Sequence, residues 1–207
     1  MVKMLNVDCL EFMKTVPDKY FDLCCTDPPY GVNLEYSTYL DTEENWFSLM
    51  ARFIPEAQRI SKMVIMPCCR INGLKWIYQN YPPDWLIAWY KGSPGHSAFI
   101  GFNDWEPLLV YGKSHSRLSM HDYFQIQNDV KMGSFGHPCP KPVKWFKWLM
   151  HRAANDGKVF DPFLGSGTSA LAAHDLKLDF VGCEIDKDYF DAAKKRFDNH
   201  AAQLSFA

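Results

Sequence analysis

The stretch Lys158-Val159-Phe160-Asp161-Pro162-Phe163-Leu164-Gly165-Ser166-Gly167-Thr168, with the later Phe180-Val181-Gly182-Cys183-Glu184-Ile185-Asp186, decides the fold class. Residues 158–160 read as a short strand, 161–168 as a glycine-bearing turn, 169–176 as a helix and 180–183 as a second strand. Parallel neighbours need such a crossover, so strand, turn, helix and strand in this order predict an α/β chain with a mostly parallel sheet. Gly165 and Gly167 let the backbone turn and approach a ligand without a Cβ in the way, although glycine used only for turning would look the same. Glu184, nineteen residues beyond Gly165, adds to the ligand reading. An acid just past the second strand of such a unit accepts hydrogen bonds from the two hydroxyls of a ribose. A dinucleotide enzyme would share this much, but the three-glycine fingerprint is absent, as is a Gly-x-x-x-x-Gly-Lys phosphate loop.

Outward from this unit, the same alternation runs through the chain. Strands are predicted at 2–7, 21–26, 63–67, 85–90 and 107–111, which with the two above makes seven. Helices are predicted at 10–15, 42–60, 72–80, 142–154 and 188–197. In residues 142–154 the apolar Val143, Phe146, Leu149 and Met150 fall at helix spacing, and in the last helix Ala192, Ala193 and Phe197 are expected to face inward. A sheet of this kind binds ligands at the carboxyl ends of its strands, where the informative motifs also fall.

Composition narrows the class. The 207 residues suit one domain, and 47% hydrophobic with 22% charged residues is ordinary for a globular protein. No apolar run approaches the roughly 20 residues that span a bilayer, and residues 1–13 lack an export pattern, so a cytoplasmic protein away from membranes is expected. The seven cysteines include no Cys-x-x-Cys pair, and the seven histidines do not cluster. Reduced core cysteines and no metal are therefore expected. A formal charge of -2 gives no general basic excess for nucleic acid. The local exception runs from Lys131 to Arg152, where Lys131, Lys141, Lys144, Lys147 and Arg152 occur with no acid among them; a solvated helix face is the plainer reading.

The second motif is Asp27-Pro28-Pro29-Tyr30, at the predicted end of a continuous apolar strand. Asp-Pro and Pro-Pro are strong turn formers, and a simple turn is the plain account. Against it, the prolines fix the directions of the carbonyls, the carboxylate sits where an α/β site would be, and Tyr30 offers an aromatic face for a base. Gly31 is read as leaving room for something to enter. Together these suit an amino group on a planar ring, whose lone pair is delocalised into the ring. Hydrogen bonds from its two protons to Asp27 and to the Pro28 carbonyl would favour a pyramidal, more nucleophilic nitrogen.

With these motifs in view, the chain resembles the DNA amino-methyltransferase family, the N6-adenine and N4-cytosine enzymes, over nearly its whole length. Asp27, Pro28, Pro29 and Tyr30 are similar to its catalytic tetrapeptide, in the form more typical of adenine enzymes. Residues 161–168, including Asp161, Phe163, Gly165, Gly167 and Thr168, resemble its cofactor loop, and Glu184 with nearby Asp186 its ribose-binding end. Asn6-Val7-Asp8-Cys9-Leu10-Glu11 is similar to the segment whose acid approaches the cofactor adenine. His137-Pro138-Cys139-Pro140-Lys141-Pro142 resembles the segment opening the helix before the cofactor loop, with Lys141 implied as a helper. The segment from Trp105 to Lys113 resembles a recurring strand near the target base.

The catalytic motif precedes the cofactor motif, as in the family's circularly permuted beta-type order. The resemblance implies a seven-stranded Rossmann-like methyltransferase sheet with helices on both faces and one antiparallel strand, at 107–111. It divides the single domain 1–207 into a catalytic half 1–112, a short variable loop 113–136 and a cofactor-binding half 137–207. It further implies S-adenosyl-L-methionine as cofactor and a flipped DNA base as substrate. N6 of adenine is the expected target, with N4 of cytosine, an RNA base, or an idle DNA-binding subunit as alternatives. Members that read long sites carry a sizeable recognition insertion. Here 113–136 and 31–45 are short, so a homodimer or a separate specificity subunit is an implied partner.

Overall fold

The computed structural model describes residues 1–207 except 69–70, 93–96, 99–100, 114–120, 128–138, 155–156 and 205–207, with backbone alone at 97, 98, 102 and 204. In chain order the elements are β1 (Val2–Asn6), α1 (Cys9–Lys14), β2 (Phe21–Cys25), α2 (Glu43–Ile60), β3 (Ser61–Pro67), α3 (Ile71–Asn80), β4 (Trp85–Tyr90), β5 (Ser97–Ala98), β6 (Gly101–Phe102), β7 (Trp105–Gly112), β8 (Tyr123–Gln125), α4 (Val143–Ala153), β9 (Lys158–Asp161), α5 (Thr168–Asp175), β10 (Asp179–Glu184) and α6 (Lys187–Leu204). One sheet has the order β1-β10-β9-β2-β3-β7-β4-β8, and β5 with β6 forms a separate hairpin. The α/β reading holds, and β7 is the antiparallel strand, paired against β3 and β4. Among the described residues no helix is long and apolar enough to cross a membrane.

The sheet is covered on both faces, which explains why its central strands are apolar without interruption. Side chains alternate between two cores. Ile65, Leu108 and Val110 enter one core with Trp145, Phe146 and Leu149 of α4. Val64, Met66, Leu109 and Tyr111 enter the other with Trp46, Met50, Phe53 and Ile54 of α2. Helix α2 begins where Thr42 accepts from the Asn45 N–H, the N-cap geometry expected of threonine. Pro55 lies inside it and brings no N–H to the Ala51 carbonyl one turn back. The Tyr81 hydroxyl donates to that carbonyl at 3.2 Å, so the missing partner is replaced from outside the helix.

The large sheet has eight strands rather than seven. The addition is β8, inside the segment read as a variable loop, and it pairs parallel to β4 through Ala88↔Tyr123, Trp89↔Phe124 and Tyr90↔Gln125. Phe124 is its one buried residue; it stacks on Trp148 with ring centroids 4.2 Å apart. Three residues with a single inward side chain carry no readable period, which is why the strand escapes sequence analysis.

The strand order sets the position of the site. From β9 the chain moves outward to β10, whose other neighbour is β1, while from β2 it moves the opposite way to β3. Strands β9 and β2 are themselves paired, Leu23↔Val159 and Cys24↔Phe160. That junction is a topological switch point, and the crevice at its carboxyl end is where an open α/β sheet binds ligands.

Candidate active site

The two strands at the switch point are tied together as they end. Thr26 donates through Oγ1 to Asp161 Oδ1 at 2.5 Å, and the Phe163 N–H donates to the same oxygen at 3.0 Å. Ser169 donates to Oδ2. Asp161 is buried, and burial pushes its carboxyl up to about 6 against those hydrogen bonds. It acts as an internal strut for the turn and is not among the cavity-lining residues.

Beyond Thr26 come Asp27, Pro28, Pro29 and Tyr30. The backbone then turns through Gly31 at φ +67°. Buried Asp41 gathers the next amides, accepting from Gly31 at 2.7 Å, Val32 at 3.0 Å and Leu34 at 3.2 Å. The expectation that Gly31 leaves room for a ligand is corrected. A Cβ there would stand 2.9 Å from Trp46 Cβ and 3.2 Å from Glu43 Cα, so glycine is needed for the loop to lie against α2.

Asp27 is held at both oxygens. The Tyr30 hydroxyl donates to Oδ1 at 2.6 Å, and Lys141 Nζ donates to Oδ2 at 2.9 Å and to the Tyr30 hydroxyl oxygen at 3.0 Å. The Lys141 side chain is 4% exposed. Burial alone would lower its pKa, but Asp27 and Glu106 outweigh burial and raise it, so the ammonium is charged. The sequence reading makes Lys141 a cofactor helper; the polar contacts of its side chain are with Asp27 and the Tyr30 hydroxyl.

A cavity of about 350 Å³ opens beside this group. Asp27, Pro28, Pro29 and Tyr30 line it together with Asp8, Cys9, Phe163, Gly165 and Glu184. Two motifs more than 100 residues apart in sequence thus share one chamber. Glu184 ends β10 with its carboxylate oriented by backbone donors, Gly165 N–H to Oε2 at 2.8 Å and Asp186 N–H to Oε1 at 2.9 Å. Burial raises its pKa while those amides pull it down. Asp8 caps α1, accepting from the Leu10 N–H at 2.7 Å. Cys9 is buried, which pushes its thiol up to about 12 and keeps it protonated.

Three other predicted site residues support the chamber without lining it. Gly167 packs against Ala193 of α6. Thr168 accepts from Arg196 at 2.9 Å. Asp186 caps α6, accepting from the Asp188 and Tyr189 N–H groups at 2.9 and 3.0 Å, and also receives the Ser37 hydroxyl.

Sequence reasoning missed Asp41, which holds the loop after Tyr30, and it missed Tyr36, Tyr39 and Arg52, which line the cavity. Their signal was weak: Asp41 precedes an N-cap, where an acid is unremarkable, and the others sit in an irregular loop or on the side of α2. Among the described residues the basic run does not form one surface. Lys131 lies outside the described residues, as do His137 and Pro138 of the motif before α4. Lys141 points into the site, Lys147 pairs with Asp175 at 2.5 Å, Arg152 lies over the Trp148 ring, and Lys144 is exposed. Among the described residues Cys9, Cys24, Cys25 and Cys183 are buried free thiols. Among the described residues no cluster of histidine, cysteine and acid is placed to hold a metal ion.

Comparison with known proteins bears on this geometry. Residues 103–195 match the N6_N4_Mtase family model, described as DNA methylase. The chain is 26% identical to the type II methyltransferase M.ScaI of Streptomyces caespitosus, an alignment covering 98% of this chain and 83% of that protein. It is 23% identical to the type II methyltransferase M.HpaI of Haemophilus parainfluenzae, over 95% and 74% of the two chains. Among solved structures, the M1.HpyAVI–SAM complex superposes with a TM-score of 0.68 at 22% identity, covering 96% of this chain and all of that one. The cytosine-N4-specific PvuII DNA methyltransferase does so at 0.73 and 17% identity, over 95% and 86%.

Proposed function

We propose that this chain, a member of the DNA amino-methyltransferase family, transfers a methyl group from S-adenosylmethionine to the N6 amino group of an adenine swung out of DNA. One observation carries the reading: Asp27-Pro28-Pro29-Tyr30 and Glu184 line the same cavity at the switch point of the sheet.

The cavity suits the cofactor's chemistry. Its volume is in the range of small-molecule sites. Glu184 offers oriented carboxylate oxygens for ribose hydroxyls, Phe163 an apolar wall and Asp8 a second acceptor. When bound, S-adenosylmethionine supplies a methyl group on a positively charged sulfur, so the protein's work is positioning. The target base must leave the duplex, because its amino group is otherwise paired. Tyr30 gives it a stacking face, and Asp27 with the Pro28 carbonyl accepts hydrogen bonds from the two amino protons. As the nitrogen takes the methyl group from sulfur it sheds one of those protons to Asp27 or to water. Drawing both protons to one side localises the lone pair and aims it at the methyl carbon.

Adenine is favoured by the aspartate that heads the tetrapeptide. Cytosine N4 is the second reading, since it offers the same two protons beside a ring nitrogen and the fold is shared with the N4-specific PvuII enzyme. Incubating the protein with labelled S-adenosylmethionine and DNA, then resolving the nucleosides by mass spectrometry, tests this directly. N6-methyldeoxyadenosine is expected. N4-methyldeoxycytidine would overturn the choice of base, and no methylated nucleoside would overturn the enzyme.

Glu184→Ala is expected to weaken S-adenosylhomocysteine binding by about 1.5–3 kcal/mol, the usual range for hydrogen bonds to a charged group. Calorimetric titration measures it, and unchanged affinity would remove Glu184 from the cofactor site.

A further inference from the structure

The buried ammonium of Lys141 has no part in the mechanism above, yet it touches two of the four residues of the catalytic tetrapeptide. We propose that Lys141 is a positioning residue for methyl transfer: it fixes Asp27 through Oδ2 so that Oδ1 passes from the Tyr30 hydroxyl to the target amino group. The proposal rests on the reading of Asp27 as the acceptor for that group.

The geometry supports it at each step. Lys141 comes from the segment just before α4, 114 residues from Asp27, so the contact is tertiary. In the ligand-free protein one lone pair of Oδ1 is taken, accepting from Tyr30 at 2.6 Å. As the Tyr30 ring shifts to stack on a base its hydroxyl hands over that position, and Oδ1 turns to the target amino group. A carboxylate held at only one oxygen would then rotate about its last torsion. With Nζ on Oδ2 at 2.9 Å the plane of the carboxylate is kept, and only one oxygen changes partner.

The surroundings point the same way. Glu106 also favours the charged form of Lys141 and pairs with Lys91 at 3.1 Å. The charges of Asp27 and Glu106 are thus offset by Lys141 and Lys91. Without Lys141 the partly buried Asp27 carboxylate would lose the cation at 2.9 Å, a costly change. The Lys141 ammonium also lies 5.0 Å from the centroid of the Tyr30 ring and 5.8 Å from that of Trp89, within cation–π range. It thus steadies the ring as well as the carboxylate.

A double-mutant cycle with Asp27→Asn decides the matter, read as single-turnover methyl transfer alongside S-adenosylhomocysteine affinity and thermal melting. Lys141→Met is expected to slow transfer by at least roughly 30-fold with cofactor affinity within about 2-fold, and Lys141→Arg to recover most of the rate because it keeps a donor to Oδ2. In the Asp27→Asn background the same Lys141→Met change should cost less than about 3-fold, because its route to the reaction is already gone. An equal cost in both backgrounds, or a Lys141→Met rate near wild type, would overturn the proposal. If Lys141→Met melts below the assay temperature, Lys141→Arg carries the test, and a Lys141→Arg rate as low as that of Asp27→Asn would overturn it. A wild-type protein that transfers no methyl group would overturn the functional reading itself, a result distinct from all of these.

Discussion

Asp27→Ala is expected to lower single-turnover methyl transfer by at least about 100-fold, or about 2.7 kcal/mol in the barrier, while S-adenosylhomocysteine affinity changes far less. In the proposed mechanism the carboxylate is the acceptor that localises the lone pair of the target nitrogen, and alanine offers nothing in its place. Glu184 and Gly165, which hold each other on the cofactor side, are untouched by the change. The variant also leaves the ammonium of Lys141, 4% exposed, without its nearest anion. Breaking a buried pair from one side costs about 3–5 kcal/mol, and Glu106 and the Tyr30 hydroxyl, which remain, should hold the loss near the lower end. Melting should therefore fall by several degrees, and rates must be compared below that transition. Transfer at the wild-type rate by a folded Asp27→Ala protein would show that the active site lies elsewhere.

The second large effect is expected at Gly165. Its φ is +49°, a left-handed conformation in which a β-branched residue is a genuine outlier. Its amide also donates to Glu184 at the cavity wall. Gly165→Val should remove measurable S-adenosylhomocysteine binding, because the loop must leave its place both to relieve strain and to fit two methyl groups. The left-handed strain costs roughly 1–2 kcal/mol, and in a domain of this size each kcal/mol lowers Tm by about 2–4 °C. A folded protein with lost binding is the expected pair of results. A folded variant that binds normally would take Gly165 out of the site.

How much of this was legible depended on the range of the interactions concerned. Strand β2 and helix α2 were readable because burial on one or two faces writes itself into neighbouring residues: Leu23, Cys24 and Cys25 are continuous, and Trp46, Met50, Phe53, Ile54 and Ala57 recur at helix spacing. The Asp27 tetrapeptide and the Gly165 turn were readable because each packs its chemistry into four to eight adjacent positions. Strand β8 was not, having one inward side chain, Phe124. Lys141 was located by its motif, but its pairing with Asp27 was not legible, since it depends on how α4 docks on the sheet, and no local pattern encodes that. Gly31 was misread for a related reason. A glycine admits either an incoming ligand or a neighbouring helix, and only the position of Trp46 distinguishes the two.

The strand order has one more consequence, for the chain as it is made. Among the described residues strand β1 has β10 as its one neighbour in the sheet, with Val2 opposite Phe180. During synthesis β1 must therefore wait for a strand that follows it far later. At about 5–20 residues per second, translation of the intervening chain takes roughly 9–36 s, during which β1 offers an open edge of the kind that invites wrong pairing. The Asp27 tetrapeptide likewise emerges well before Gly165 and Glu184. Until those follow, Asp27 stands without the walls that complete its cavity. The cavity closes only when β9 and β10 pack against β2 and β1.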